Sequence, residues 1–238
     1  MKEKLNFNKP ARNIPTNYRN VTGRIFSNKS NRLVGYESKL ERDFIYLFEF
    51  DDRVEKFLEQ PITINYQLDG ENRRYTPDFF ILLKNGEEYL IEIKYKSDLY
   101  EKFDDLKYKF KVAIQYSNLN NCKFKIMTNK CSYMNNTNYM FNVHFLLSYN
   151  TINYDTYQLI KSRINKCNSI EELLNELSED KYKQLDYINY IWTLVRHQII
   201  KLNLQRKINN KSEILEFKNY DKEEFQIYVL DYYKKDKI

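Results

Sequence analysis

Asp78, Glu92 and Lys94 are the residues whose types and spacing could do chemistry. Asp78 follows Pro77 inside the apolar run "YTPDFF" (75–80), and Glu92 and Lys94 stand two apart in "YLIEIKYK" (89–96). Charged side chains in strands are costly to bury unless they are paired or bound to a cation. Residues two apart in a strand face the same way, so Glu92 and Lys94 share one face while Ile91, Ile93 and Tyr95 share the other. Asn85-Gly86 in "KNGE" is a hairpin signal, and pairing the two runs brings Asp78 toward Glu92 and Lys94. Two carboxylates and an ammonium then lie in one small volume. Carboxylates that close repel, and one is pushed toward protonation unless a cation sits between them. A hard oxygen-binding ion such as Mg²⁺ fits, because it takes carboxylates together with water and phosphate oxygens. Lys94 could orient or help deprotonate an attacking water, or steady developing phosphate charge. The plainer alternative is a structural ion pair, or charges that simply face water.

The elements that must position these residues follow from periodicity. In "SKLERDFIYLFEF" (38–50), Leu40, Phe44, Leu47 and Phe48 fall on one helical face, with Ser38 as N-cap. "PITINYQL" (61–68) alternates Ile62, Ile64, Tyr66 and Leu68 with polar residues, predicting a half-buried strand turned by "DGEN". "YTPDFFILL" and "EYLIEIKYK" are the two strands around Asn85-Gly86. From Tyr100 to Leu119 the spacing is helical again, with Phe103, Leu106, Phe110, Ala113, Ile114 and Ser117 on one face; "FKIMT" (124–128) is a short strand. The order helix, antiparallel strands, helix, strand is an α/β unit ending near residue 130, at the Asn-rich "NKCSYMNNTNYM". Beyond it, "SIEELLNELS" opens with a capping box at Ser169 and Glu172. Leu185, Ile188, Ile191, Trp192, Val195 and Ile199 form a helical stripe, and the residues around "NNKS" read as a β-ribbon. Helices followed by such a ribbon predict a winged-helix-like module. The expected division is a basic N-terminal arm over 1–34, an α/β domain over 35–148 and a helical domain over 149–238 for partner and DNA contact.

Composition narrows the class. With 42% hydrophobic residues, 22 Tyr and 15 Phe among 238, a real core can form, and four Gly and four Pro exclude low-complexity or collagen-like chains. No apolar run is long enough to span a membrane, and "MKEKLNFNKPARNIP" lacks the core of a secretion signal. Cys122, Cys131 and Cys167 lack metal-ligand spacing and read as reduced thiols, so a cytoplasmic protein is expected. A net charge of +6 is compatible with a polyanionic partner without establishing one. His144 and His197 have no partners at ligand spacing, and His197 reads as structural.

P-D, a hairpin and then E-x-K resemble the signature of the PD-(D/E)xK nucleases, a restriction-endonuclease-like fold. That fold also uses an acid from the preceding helix, for which Glu41 and Glu37 are candidates. Glu41 shares a side with Ile45 and Phe48 and also completes a capping box with Ser38; Glu37 reads as a solvated charge. Beyond the motif, "GYESKLERDFIYLFEFDDRVEKFLEQPITINY", "RRYTPDFFI" and "LIEIKYK" resemble the N-terminal domain of the TnsA-type endonuclease subunits of heteromeric cut-and-paste transposases. The lead-in "PARNIPTNYRNVTGRIFSNKSNRLV" resembles that family too, and the helical C-terminal part does so more loosely.

The resemblance implies residue roles. The family's helix glutamate falls on Glu41, its strand aspartate on Asp78 and its lysine on Lys94; the polar position between is Glu92. Glu41, Asp78 and Glu92, with the backbone carbonyl of Ile93, are expected to hold one or two Mg²⁺ ions, with Mn²⁺ as a substitute. Lys94 positions the attacking water, and hydrolysis leaves 5′-phosphate and 3′-hydroxyl ends. The family cuts the 5′ ends of the transposon while a DDE-type, TnsB-like transposase processes the 3′ ends and an AAA+, TnsC-like regulator couples the complex to its target. The expected partners are therefore double-stranded transposon-end DNA and those two subunits, with no membrane. Arg12, Arg19, Lys29 and Arg32 in the arm, Lys96 at the strand end, and Lys201, Arg206, Lys207 and Lys211 near the C-terminus are the candidates for gripping phosphates, or else for a solvated surface. Gln60 in "EQP" reads as ending the connection before the strand rather than serving the site. The competing readings are a stand-alone nuclease of this fold in restriction, repair or phage defence, and a non-catalytic DNA-binding assembly module.

Overall fold

A mixed four-stranded sheet with helices against both faces carries the candidate residues. It belongs to a computed structural model that describes residues 9–12, 14, 21–151 and 153–225. The chain divides into two units, Met1–Asn135 and Asn136–Ile238.

In the first unit, β1 (Gly23–Ser27) and β2 (Arg32–Tyr36) form an antiparallel hairpin, followed by α1 (Lys39–Phe50) and β3 (Val54–Glu59). β4 (Ile64–Leu68) and β5 (Glu71–Tyr75) form a second hairpin, and β6 (Phe79–Leu83) and β7 (Glu88–Lys94) a third. α2 (Lys96–Glu101) and α3 (Phe103–Leu119) then lead to β8 (Lys123–Thr128). The sheet order is β3-β6-β7-β8; the first three strands are antiparallel, and β8 lies parallel to β7. A parallel neighbour needs a crossover, which α2 and α3 supply.

Alternation along the strands builds two cores. Phe79, Ile81, Ile91 and Ile93 face α1, whose Leu40, Phe44, Ile45 and Phe48 are buried against them. Phe80 and Leu90 face the other way and pack with Tyr75, Ala113 and Cys122. Each hairpin turn has its own backbone solution: Gly86 (φ 83°) follows Asn85 between β6 and β7, and Asp69 (φ 53°) with Gly70 (φ 80°) turns β4 into β5. Ser38 caps α1, its hydroxyl accepting from the Glu41 amide.

The predicted basic arm is corrected over its described part. Residues 23–36 form a hairpin tied into the unit rather than an arm, because their basic side chains answer buried acceptors. Arg32 makes an ion pair with Glu59, which is 5% exposed, and the Lys29 ammonium donates to the carbonyls of Phe48 and Asp51 at the end of α1. Arg19 lies outside the described residues. The predicted strand from Ile62 begins at Ile64, pairs only with β5, and leaves the central sheet to β3. The predicted helix from Tyr100 is two helices that meet at Lys102, and Phe103 and Ile114 face outward at 55% and 48% exposure.

The second unit contains α4 (Thr137–Leu146), α5 (Tyr154–Ile164), α6 (Ile170–Leu177) and α7 (Lys181–Arg196). α4 packs on α7, so it belongs here and not to an α/β domain running to 148. Ser169 caps α6 through the Glu172 amide. Ile191, Trp192, Val195 and Ile199 are buried, whereas Leu185 is exposed. The predicted ribbon is present among the described residues as β9 (Ile200–Lys201) paired with β10 (Glu216–Phe217), a two-residue match. No helix among the described residues is long and apolar enough to cross a membrane.

Candidate active site

The carboxyl end of β7 brings the predicted residues together. Asp78 immediately precedes β6, and its Oδ2 accepts from the Ile93 amide at 2.7 Å and from the Lys94 ammonium at 3.3 Å. The Lys94 Nζ also lies 2.6 Å from Glu92 Oε1 and donates to the Ile93 carbonyl at 3.0 Å. Glu92 is 3% exposed, and its second oxygen accepts from the Tyr75 hydroxyl at 2.6 Å. Tyr75 ends β5, so the β4–β5 hairpin, outside the main sheet, supplies a hydrogen-bond donor to the site. Sequence reasoning missed it; its only signal was a tyrosine three residues before the aspartate.

Glu41 arrives from the first turn of α1. Its carboxylate accepts from the Glu37 amide at 2.8 Å and the Ser38 hydroxyl at 2.8 Å, so it caps the helix one residue earlier than the expected bond to the Ser38 amide. Burial, and then the charge of Asp78, push its carboxyl up to about 7. Asp78 is also pushed up to about 7, by burial and the charge of Glu92, against the opposing pull of Lys94 and the Ile93 amide. Lys94 is half-buried, and its two carboxylate neighbours outweigh the desolvation and raise its pKa. The Tyr75 phenol is raised by burial and by Glu92, and stays protonated as a donor.

Gln60, expected only to end a connection, is a structural hub of the site. It is 3% exposed and adopts φ 44°, a left-handed conformation that a non-glycine residue rarely takes. Its amide donates to the Asp78 carbonyl at 2.8 Å and its side chain donates to Glu37 at 2.9 Å. Arg12 donates to Gln60 Oε1 at 2.6 Å and pairs with Glu37 at 2.5 Å. Glu37 is therefore not a free solvated charge: its amide holds Glu41 and its carboxylate holds Gln60 and Arg12. The "EQP" spacing before a strand was the signal that could have found Gln60.

Lys96 is apart from this cluster. It is exposed, its amide bonds Asn129 and its ammonium lies over the Tyr100 ring. In the second unit, Lys201 pairs with Glu216, Lys207 lies over Phe141, and Arg206 and Lys211 are exposed.

The donor set suits a hard divalent cation in chemistry. All its candidate atoms are oxygens, and three carboxylates face one ammonium, leaving the raised Asp78 and Glu41 short of positive charge. The site is not a preassembled cage: among the described residues, no group of three or more His, Cys, Asp or Glu side chains stands ready to hold a metal ion. Lys94 sits instead between Glu92, Asp78 and the Ile93 carbonyl.

Residues 51–129 match a family described as TnsA-like endonuclease N terminal. That segment is about a third of the 238-residue chain and includes β3 to β8, hence Asp78, Glu92 and Lys94, while Glu41 lies before it. A mixed sheet with helices on both faces fits the nuclease fold expected of such a domain. No curated protein matches the chain.

Proposed function

From the TnsA-like endonuclease N-terminal domain that this chain carries, we propose that the protein is the subunit of a cut-and-paste transposase that hydrolyses the phosphodiester at the 5′ ends of the transposon. The observation that carries this reading is the cluster of Asp78, just before β6, with Glu92 and Lys94 of β7, and Glu41 electrostatically joined to it.

Each residue has a part. Asp78 and Glu41, with Glu92 and the Ile93 carbonyl, are the groups that would hold one or two Mg²⁺ ions. When bound, Mg²⁺ makes water a stronger nucleophile and stabilises charge on the phosphate and the leaving oxygen. Lys94, an ammonium beside Asp78 and Glu92 in the metal-free protein, serves as a hydrogen-bond donor and charge stabiliser. It orients the attacking water or a phosphate oxygen from a position fixed by Glu92. Tyr75 occupies the other oxygen of Glu92 and so aims the carboxylate that holds Lys94.

The remaining assignments are part of the same proposal. The partners are transposon-end DNA, a DDE-type transposase that processes the 3′ ends and an AAA+ regulator; the exposed Lys96, Arg206 and Lys207 contact phosphates.

The test is strand-mapped cleavage of labelled transposon-end DNA with Mg²⁺ and the co-encoded transposase, comparing wild type with Asp78→Ala. The expected result is a 5′-end cut carrying 5′-phosphate and 3′-hydroxyl termini that Asp78→Ala abolishes. Unchanged cuts on both strands in Asp78→Ala would remove the catalytic role, and efficient cutting of arbitrary DNA without the transposase would favour a stand-alone nuclease.

A further inference from the structure

The sheet ends at β8, whose outer edge pairs with no strand among the described residues. Beside it, α2 and α3 leave two shallow hollows of about 690 Å³ each, joined at Phe103. On α3, Phe103, Lys107, Phe110, Lys111 and Ile114 recur at helical spacing and form one stripe along the second hollow. Phe110 is buried beneath the stripe, but Phe103 (55% exposed) and Ile114 (48%) are open, as is Tyr100 (75%) on α2 in the first hollow. Connected exposed rings of this kind mark an interaction surface.

The charge of the walls says what that surface meets. Both hollows are lined by lysines, and neither lining contains a carboxylate. Lys107 is shared with Asp104 at 2.7 Å, but Lys111, Lys125 and Lys130 form no ion pair among the described residues. The first hollow begins beside the active-site cluster. Its wall residue Thr128 is the register partner of Lys94 on β8, and Lys96 is two residues beyond Lys94. Lysines interleaved with open aromatic faces, continuous with a nuclease site, fit a nucleic-acid strand: phosphates pair with ammonium groups and bases stack on rings.

We propose that the hollow between α2–α3 and the β8 edge is a groove for an unpaired stretch of the DNA strand being cut, with bases on Tyr100 and Phe103 and phosphates on Lys111, Lys125 and Lys130. This rests on the endonuclease reading above and adds the conformation of the substrate. A duplex exposes base faces only at its ends, so lysines alone would serve a fully paired substrate and the open rings would have nothing to stack on. The cluster is recessed as well, with side-chain exposures of 14% for Asp78 and 4% for Glu92. A locally unpaired strand can dip toward it more easily than a stiff duplex. Local unpairing supplies both the descent and the bases.

Equilibrium anisotropy of the full-length protein tests this with two labelled transposon-end DNAs, one fully paired and one carrying a flap of about six unpaired nucleotides. Tyr100→Ala/Phe103→Ala should lose about tenfold in affinity for the flapped DNA and less than about twofold for the paired DNA. Lys111→Glu/Lys125→Glu should weaken both and reduce the salt slope by about two. All four positions lie on the surface, and an unchanged melting midpoint checks the fold. If wild type binds and cuts DNA while both variants bind flapped DNA as wild type does, the groove is refuted and the endonuclease reading stands. Wild type that neither binds DNA nor cuts it with Mg²⁺ and the co-encoded transposase removes the endonuclease reading itself. Variants that keep DNA binding but lose the co-encoded transposase or regulator show a protein-docking face, which also overturns the proposal.

Discussion

At Asp78, burial and the charge of Glu92 raise the carboxyl to about 7, against the Ile93 amide and the Lys94 ammonium. Glu41 is raised to about 7 as well, by burial and by Asp78. The folded protein without metal therefore binds more protons than the unfolded chain between the ordinary carboxylate range and about 7. The favourable part of this linkage is complete below about pH 4 and is lost as pH rises through about 7. Asp78→Asn removes one of the two charges while keeping an acceptor for the Ile93 amide. It should raise the melting midpoint of the metal-free protein at about pH 8 by a few degrees, about 1 kcal/mol, and abolish cleavage. A calorimetric scan in EDTA reads the first effect; a midpoint lowered by Asp78→Asn would contradict it. Mg²⁺ affinity, read by titration calorimetry, should correspondingly rise from pH about 6 to about 8 as these carboxyls ionise. At this scale the sequence was informative about Asp78, Glu92 and Lys94, because strand alternation and one hairpin bring them together. Tyr75 was not legible, since its bond to Glu92 depends on where a separate hairpin folds.

The elements that position the site differ in how plainly they announce themselves. α1 and the β6–β7 hairpin were readable from helical spacing and Asn85-Gly86, which is why Glu41, Asp78 and Lys94 could be placed. β3 ("VEKFLE") sets Glu55 and Lys56 side by side and buries its last charge, Glu59, and β5 ("ENRRY") lacks apolar alternation, so neither shows the usual strand signature. β1–β2 read as a basic arm because Lys29 and Arg32 look solvated until Glu59 and the end of α1 are placed beside them. Gln60 ties β3 to the residue that opens β6, through its amide on the Asp78 carbonyl and its side chain on Glu37. Gln60→Ala should cost about 1–2 kcal/mol by chemical denaturation, from the lost buried hydrogen bonds, and lower cleavage by about tenfold. Gln60→Glu keeps the shape but sets a second carboxylate against Glu37, and should be worse than Gln60→Ala at neutral pH. A Gln60→Ala protein with wild-type stability and cleavage would mean that the hub does not position the site.

Over the whole molecule, the residues proposed for chemistry lie in one of two units. Glu41, Asp78, Glu92 and Lys94 all fall in Met1–Asn135, with two apolar cores of their own. A chain ending at Asn135 should therefore fold and bind Mg²⁺ within about threefold of the full chain's affinity. Loss of its helical circular dichroism signal, or of Mg²⁺ binding, would show that the second unit completes the site. The Asn-rich stretch contains the division between the units, but the expected boundary at 148 lies beyond it, because the allegiance of α4 depends on its packing against α7. The ribbon near the C-terminus is short, since polar residues around "NNKS" suit an irregular loop as well as a hairpin.

The central claim, that Lys94 with Asp78 and Glu92 forms the centre that cuts one strand at each transposon end, is tested most directly by a strand-resolved cleavage assay. Labelled transposon-end DNA is incubated with the co-encoded transposase, Mg²⁺ and either wild type or Lys94→Ala. The expected result is loss of the 5′-end cut by at least about a hundredfold, the scale of a removed transition-state donor, with the 3′-end cut retained. Equal 5′-end cutting by Lys94→Ala and wild type would contradict it.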